Sequence, residues 1–97
     1  MSQIIYLTKD VTLGELKKEG FKVNDNRLRA AVHNEYPFGI EDEQGNDAII
    51  YNIKPTEDDD VDAYQFSKLV YASYKLLQSL KNKLGIESYT EDGQKVC

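Results

Sequence analysis

Residues 12–40 read TLGELKKEGFKVNDNRLRAAVHNEYPFGI, and the fold prediction starts from this stretch. Thr12, with Glu15 three residues later, has the pattern of a capping box at the start of a helix. Gly20 stands where a left-handed cap ends a helix, and Asn24 has the type and position of the next N-cap. Two short helices joined by such a tight turn are the core of a helix-turn-helix. The predicted helices span 12–19 and 25–34.

The sequence after the second predicted helix favours a β-hairpin that would form a wing. In YPFGIEDEQGNDAIIYNI, apolar residues alternate with other residues on both sides of a flexible Gln44-Gly45-Asn46 turn. Pro55 then ends the second strand, because proline lacks the donor that a strand ladder needs. The apolar run QIIYL near the N-terminus adds one more strand. The predicted strands span 3–7, 38–42 and 48–53.

A long C-terminal helix is predicted for residues 61–84, ended by Gly85. Residues at alternating spacings of three and four form one stripe, and Ser73 is its polar exception. The stripe consists of Ala63, Phe66, Val70, Ser73, Leu77, Leu80 and Leu84. Its width and its length of three heptads favour a homodimer over a monomer whose helix packs only on its own core. The predicted dimerisation residues are Phe66, Val70, Leu77, Leu80 and Leu84.

These elements together predict a mainly α fold with a small β-hairpin, namely a winged helix-turn-helix followed by a long C-terminal helix. Within this scheme the acidic TEDDD sequence is a linker that also caps the long helix, in preference to a metal site. The predicted divisions are a winged helix-turn-helix at 1–55, the acidic linker at 56–60, the long dimerisation helix at 61–85 and a flexible tail at 86–97.

Composition narrows the classes of function. The chain of 97 residues has a net charge of −5, which does not favour binding to nucleic acid or to an anionic membrane through bulk electrostatics. Cys97 is the single cysteine, so no disulfide framework or cysteine-based zinc site is possible, and a cytoplasmic setting fits. The sequence shows no membrane span, nucleophile–base pair, phosphate loop or metal signature. We therefore expect a non-enzymatic protein without cofactor or metal.

Basic charge concentrates in one part of this acidic chain. Between residues 17 and 33 five Lys or Arg residues stand against two acids, which gives this segment a charge of +3. On the second predicted helix, side chains that can reach phosphates or base edges share one stripe. That stripe consists of Asn26, Arg29, Ala30 and His33, with Arg27 on its flank. The alternative is an ordinary solvated helix face, which is often polar and basic.

The run LKKEGFKVNDNRLRAAVHNEYPFGI, followed by a glycine-containing turn and IIYNI, resembles excisionase-like and MerR-like winged-helix proteins of phages and mobile elements. A capped helix, a tight turn, an arginine-bearing helix and a PFG sequence before the wing recur there in this order. The resemblance covers about residues 4–55. It implies a small regulator that binds double-stranded DNA through helix 25–34. The residues that it implies are Lys22, Asn26, Arg27, Arg29, Ala30 and His33.

The predicted wing departs from this resemblance. Its tip, residues 41–47, carries four acidic residues and no basic residue. The phosphates of DNA would repel these negative charges. Either this wing turns away from DNA or DNA is not the ligand. The alternative function is an acidic protein-binding module on the same scaffold, which binds a host protein or mimics nucleic acid.

Overall fold

The computed structural model describes residues 4–25, 38–51, 53–54 and 60–97. In this part of the chain the main element is a six-stranded antiparallel sheet with the strand order β2-β3-β4-β5-β1-β6. The elements are β1 (Ile5–Thr12), α1 (Leu13–Lys18), β2 (Lys22–Asp25), β3 (Phe38–Glu41), β4 (Asp47–Ile50), a 3₁₀ helix (Val61–Ala63), β5 (Gln65–Ala72), α2 (Tyr74–Leu84) and β6 (Ser88–Tyr89).

Both α-helices share one hydrophobic core with a single face of the sheet. Alternate residues of β3, such as Phe38 and Ile40, are completely buried. On the helices, the buried residues are Leu13 and Leu16 of α1 and Leu76, Leu77 and Leu80 of α2. All of these side chains belong to one cluster. The opposite face of the sheet is therefore turned away from α1 and α2.

The local signals around α1 are confirmed. The hydroxyl of Thr12 accepts a hydrogen bond from the backbone N–H of Glu15 at 3.2 Å, as an N-cap does. Gly20 has a φ of 93°, and the N–H of Phe21 donates to the carbonyl of Leu16 at 3.0 Å, which closes the last turn. The predicted start and end of this helix were therefore correct.

The predicted helix-turn-helix is wrong, because the chain after α1 enters a strand. Asn24, the predicted helix cap, lies in β2 opposite Gly39 of β3. Asp25 also belongs to β2, and residues 26–34 of the predicted second helix lie outside the described residues. The predicted hairpin exists as β3 and β4, but it lies inside the sheet and pairs on both sides, so it is not a projecting wing.

The predicted long helix is also wrong. Within 61–84 the chain forms the 3₁₀ helix, then the eight-residue strand β5, and only then α2. Ser73, the polar exception in the predicted stripe, accepts a hydrogen bond from the N–H of Leu76 at 3.3 Å and is the N-cap of α2. Gly85, with a φ of 68°, ends α2 as predicted. The fold is thus a sheet with two short helices in the described residues, and not a mainly α winged helix-turn-helix.

Residues from several of the predicted divisions of the chain pair in this one sheet. Strand β5 pairs with β1 and with β4, which joins the proposed region 1–55 to the proposed region 61–85. Of the linker 56–60, only Asp60 is described, and it caps the 3₁₀ helix by accepting from the N–H of Asp62. In place of a frayed tail, residues 86–97 contain the buried Ile86 and strand β6, which pairs with β1.

Candidate functional site

The predicted DNA-binding residues fall almost entirely outside the described part of the chain. Asn26, Arg27, Arg29, Ala30 and His33 lie there, so their role stays a prediction. The sixth residue is described, and it does not lie in a turn between helices. Lys22 is exposed on the edge strand β2, directly opposite Glu41 of β3.

The predicted dimerisation residues do not form an exposed seam. Phe66, Leu77 and Leu80 are 1%, 2% and 1% exposed in the core of the single chain. Val70 lies in β5, and Leu84, at the end of α2, packs against the core. Dimerisation stays a prediction, but the long helix proposed to mediate it does not exist.

One acid of the predicted wing tip has a structural role. Asp42 is 3% exposed and accepts hydrogen bonds of 2.9 Å from the backbone of Gln44, the backbone and side chain of Asn46, and the hydroxyl of Ser79. Burial raises the pKa of Asp42, but these hydrogen bonds outweigh it and hold the pKa below its usual value. Asp42 therefore joins the β3–β4 turn to α2.

The outer face of the sheet carries a row of side chains across four strands. Gly39 of β3 lies opposite Asn24 of β2 and opposite Ile49 of β4, and Ile49 in turn lies opposite Tyr71 of β5. Directly paired residues of antiparallel strands project from the same face. Ile49 is 40% exposed and Tyr71 is 49% exposed, so this row forms solvent-facing surface.

A second row on the same face is rich in tyrosine. Tyr51 follows β4 two residues after Ile49, and its N–H donates to the carbonyl of Lys68 on β5. Lys68 is paired with Tyr6 of β1, which is paired with Tyr89 of β6. The Lys68 ammonium lies 5.5 Å from the centre of the Tyr6 ring, within the range of a cation–π contact.

We call these two rows, without Asn24 and Gly39, the tyrosine face. Its members are Tyr6, Ile49, Tyr51, Lys68, Tyr71 and Tyr89. Four of the seven tyrosines of the chain therefore lie on one surface of the sheet. Tyrosine combines a large apolar ring with a polar hydroxyl and is enriched at protein interfaces.

An open groove borders the tyrosine face where Gly39 lacks a side chain. The groove has a volume of about 500 Å³, and its lining includes Asn24, Gly39 and Ile49. Glu41 and Asp47, which are paired across β3 and β4, lie at the same groove. Neither carboxylate forms an ion pair within the described residues.

Sequence reasoning missed this surface for an identifiable reason. Tyr71 falls within the predicted helix 61–84, and only the pairing of β5 with β4 brings it next to Ile49. The one local signal for this surface is the two-residue alternation of side chains along β4 and just beyond it. Ile49 and Tyr51 are two residues apart, so they project from the same face of the strand. No local signal indicates that Tyr6 and Tyr89 join them.

Other kinds of site find no support in the part of the chain that the structure describes. No group of three or more His, Cys, Asp or Glu residues there is arranged to hold a metal ion. No helix there has the length and apolar character to cross a membrane. No protein-family model matches the chain, and neither a curated protein nor a solved structure shows significant similarity to it.

Proposed function

We propose that this protein is a non-enzymatic protein-binding module that docks its partner on the tyrosine face. The observation that carries the proposal is the exposure of Ile49, Tyr51 and Tyr71, at 40%, 36% and 49%, on one continuous surface. Exposed apolar and aromatic side chains that adjoin one another mark interaction sites more often than scattered ones do. Because the partner would bury the rings and still reach their hydroxyl groups, such a face suits a protein surface.

Charge favours a protein partner over nucleic acid at this face. The β3–β4 hairpin, which supplies Ile49 and Tyr51 to the tyrosine face, places the carboxylates of Glu41 and Asp47 beside them and contains no base in residues 38–51. Lys22 of β2 lies opposite one of these acids, Glu41, so its charge is partly offset. Nucleic-acid affinity depends on neutralising phosphates with cations, and this surface offers few. The cytoplasmic location in this proposal rests on the single cysteine of the chain.

DNA binding through residues 26–33 is the competing hypothesis from the sequence. Its support is the local charge of +3 between residues 17 and 33. The two hypotheses predict that different substitutions weaken binding. DNA binding through residues 26–33 depends on Arg29, whereas docking on the tyrosine face depends on Tyr71. A duplex-binding assay in which Arg29→Ala removes binding and Tyr71→Ala does not would favour DNA.

Site-specific photo-crosslinking tests the docking proposal. A benzophenone amino acid is placed at Tyr71 in one variant and at Gln78, an exposed residue of α2, in a second. We expect the Tyr71 variant to crosslink one defined protein from an extract of the source cells, and the Gln78 variant not to do so. Ile49→Arg introduced beside the Tyr71 probe should remove that crosslink, because a charged side chain would then replace the apolar one at the centre of the face.

The same experiment can contradict the proposal. If both probe positions crosslink the same set of proteins, or if Ile49→Arg leaves the Tyr71 crosslink unchanged, the tyrosine face is not the docking surface. Circular dichroism of each variant checks that the fold is retained. A crosslink between two copies of this chain would instead identify the face as a homodimer interface.

A further inference from the structure

The groove over Gly39 has the shape to take a long side chain from a partner. In the row that crosses the sheet, Asn24 and Ile49 project on either side of Gly39, which contributes no side chain between them. A Cβ atom built on Gly39 would lie 3.8 Å from the Asn24 Cβ and 4.0 Å from the carbonyl oxygen of Ala48, both ordinary contacts. The gap therefore does not arise from crowding that requires glycine. Among the described residues it is a gap at the surface of the sheet, bordered on one side by the Asn24 amide nitrogen, 3.9 Å from that Cβ position.

The electrostatic character of this groove is negative. Glu41 and Asp47 are neighbours across β3 and β4 and both line it. Lys22, across from Glu41, is the one cation that the described strands place in this row, so within the described residues one of the two negative charges has no counterpart there. Adjacent to the carboxylates, Ile49 and Tyr71 supply apolar and aromatic surface.

We propose that the partner segment is an extended, positively charged polypeptide that places an arginine side chain in the groove over Gly39. The methylene stem would lie between Asn24 and Ile49, and the guanidinium would reach Glu41 and Asp47. This inference rests on the proposed function and specifies the chemistry of the partner at one position.

Arginine fits this surface better than lysine does. A planar guanidinium can bind a carboxylate through two hydrogen bonds and can also stack on an aromatic ring, whereas an ammonium is a compact, strongly hydrated charge. The tyrosine face already holds one cation against a ring, since Lys68 lies over Tyr6. Tyr71, which is paired with the groove residue Ile49, offers a second, more exposed ring.

The test uses a defined probe peptide and the whole protein. The probe is an acetylated and amidated hexapeptide of alternating arginine and threonine. Reference peptides replace arginine by citrulline, which keeps the shape without the charge, or by glutamate. Titration of the ¹⁵N-labelled protein, followed by amide chemical shifts, should move the signals of Gly39, Ile49 and Tyr71 with the arginine peptide only.

Two variants separate the groove from the general charge of the protein. Gly39→Val should remove binding of the probe while the protein stays folded, because a β-branched residue suits a strand and fills the groove. Replacing both Glu41 and Asp47 by their amides should weaken binding about tenfold, as expected for partly exposed charged contacts. The matched control replaces Glu19 and Glu91, two exposed acids elsewhere, by glutamine and should leave affinity within about twofold.

Each contrary result has a distinct meaning. If the citrulline or glutamate peptide moves the same signals as strongly, charge selection at the groove is refuted and protein docking on the face still stands. If no peptide moves these signals up to millimolar concentration, the arginine site is refuted, and the crosslinking experiment alone decides the proposed function. If single-stranded oligonucleotides move them instead, both the cationic occupant and the protein partner are wrong at this face.

Discussion

Asp42→Ala should destabilise the protein by about 3 kcal/mol. The Asp42 carboxylate accepts four hydrogen bonds of 2.9 Å and is 3% exposed. All four bonds are part-buried, but Gln44 is exposed and its N–H can exchange this bond for one to water. The two bonds from Asn46 and the one from Ser79 are each worth about 1 kcal/mol net, less than is usual for a charged acceptor because they are only part-buried, which gives the expected total. The loss also separates the β3–β4 turn from α2.

Urea unfolding followed by circular dichroism measures this change at pH 7. Asp47→Ala is the matched control, because Asp47 lies on the same hairpin, is exposed and forms no ion pair in the described residues. The control should lie within about 0.5 kcal/mol of the parent. If Asp42→Ala also lies within that range, the carboxylate does not connect the hairpin to α2 as argued.

The pH dependence provides a second check on Asp42. Its pKa is lower in the folded protein than its usual value, so its stabilising effect is present above the unfolded pKa and disappears as the pH falls through the folded pKa. We expect the difference in unfolding free energy between parent and Asp42→Ala to stay constant at neutral pH and to shrink below about pH 4. A difference that does not change down to pH 2 would contradict the role of the charged form.

Three further predictions concern packing, surface charge and backbone conformation. Leu80→Ala should lower stability by about 2–5 kcal/mol because Leu80 is 1% exposed, and sedimentation should show no change of oligomeric state while the variant stays folded. The Lys17–Asp62 pair, 2.6 Å apart but exposed, should contribute less than about 1 kcal/mol in a double-mutant cycle and less again at high salt. Gly85→Ala should cost about 1–2 kcal/mol by thermal unfolding because its φ is 68°, whereas Gly39→Ala, outside the positive-φ region, should be neutral or slightly stabilising.

The sequence by itself determined the features that depend on neighbouring residues. Thr12 and Gly20 delimit α1 because a cap needs only a side chain or a backbone conformation within one helical turn. Gly85 ends α2 for the same reason. The β3–β4 hairpin also followed from local alternation and a flexible turn. Each of these signals works over a few residues, so it survives in almost any tertiary context.

Residues 61–84 show where local reasoning fails. The spacing of Phe66, Val70, Leu77 and Leu80 fits a helix, but Phe66 and Val70 lie on a strand. The register of β5 shifts between the partners of Ile49 and Ile50, which changes the simple two-residue alternation of a strand. The two buried residues of β5, Phe66 and Leu69, are three apart, a spacing that a helix also gives. Ser73 marked the boundary, because a polar residue in an apolar stripe was in fact the N-cap of α2.

Only the tertiary structure decided the fold class and the candidate surface. Asn24 has the properties of a helix cap, yet pairing with Gly39 places it in a strand. The sequence places Asp42 in an acidic wing tip that would repel phosphates. In the fold, its carboxylate instead accepts a hydrogen bond from Ser79, which is 37 residues away. The tyrosine face likewise joins residues from both ends of the chain, Tyr6 and Tyr89. Strand pairing is a non-local interaction, so which strands become neighbours, and hence which side chains share a face, depends on the packing of the whole chain.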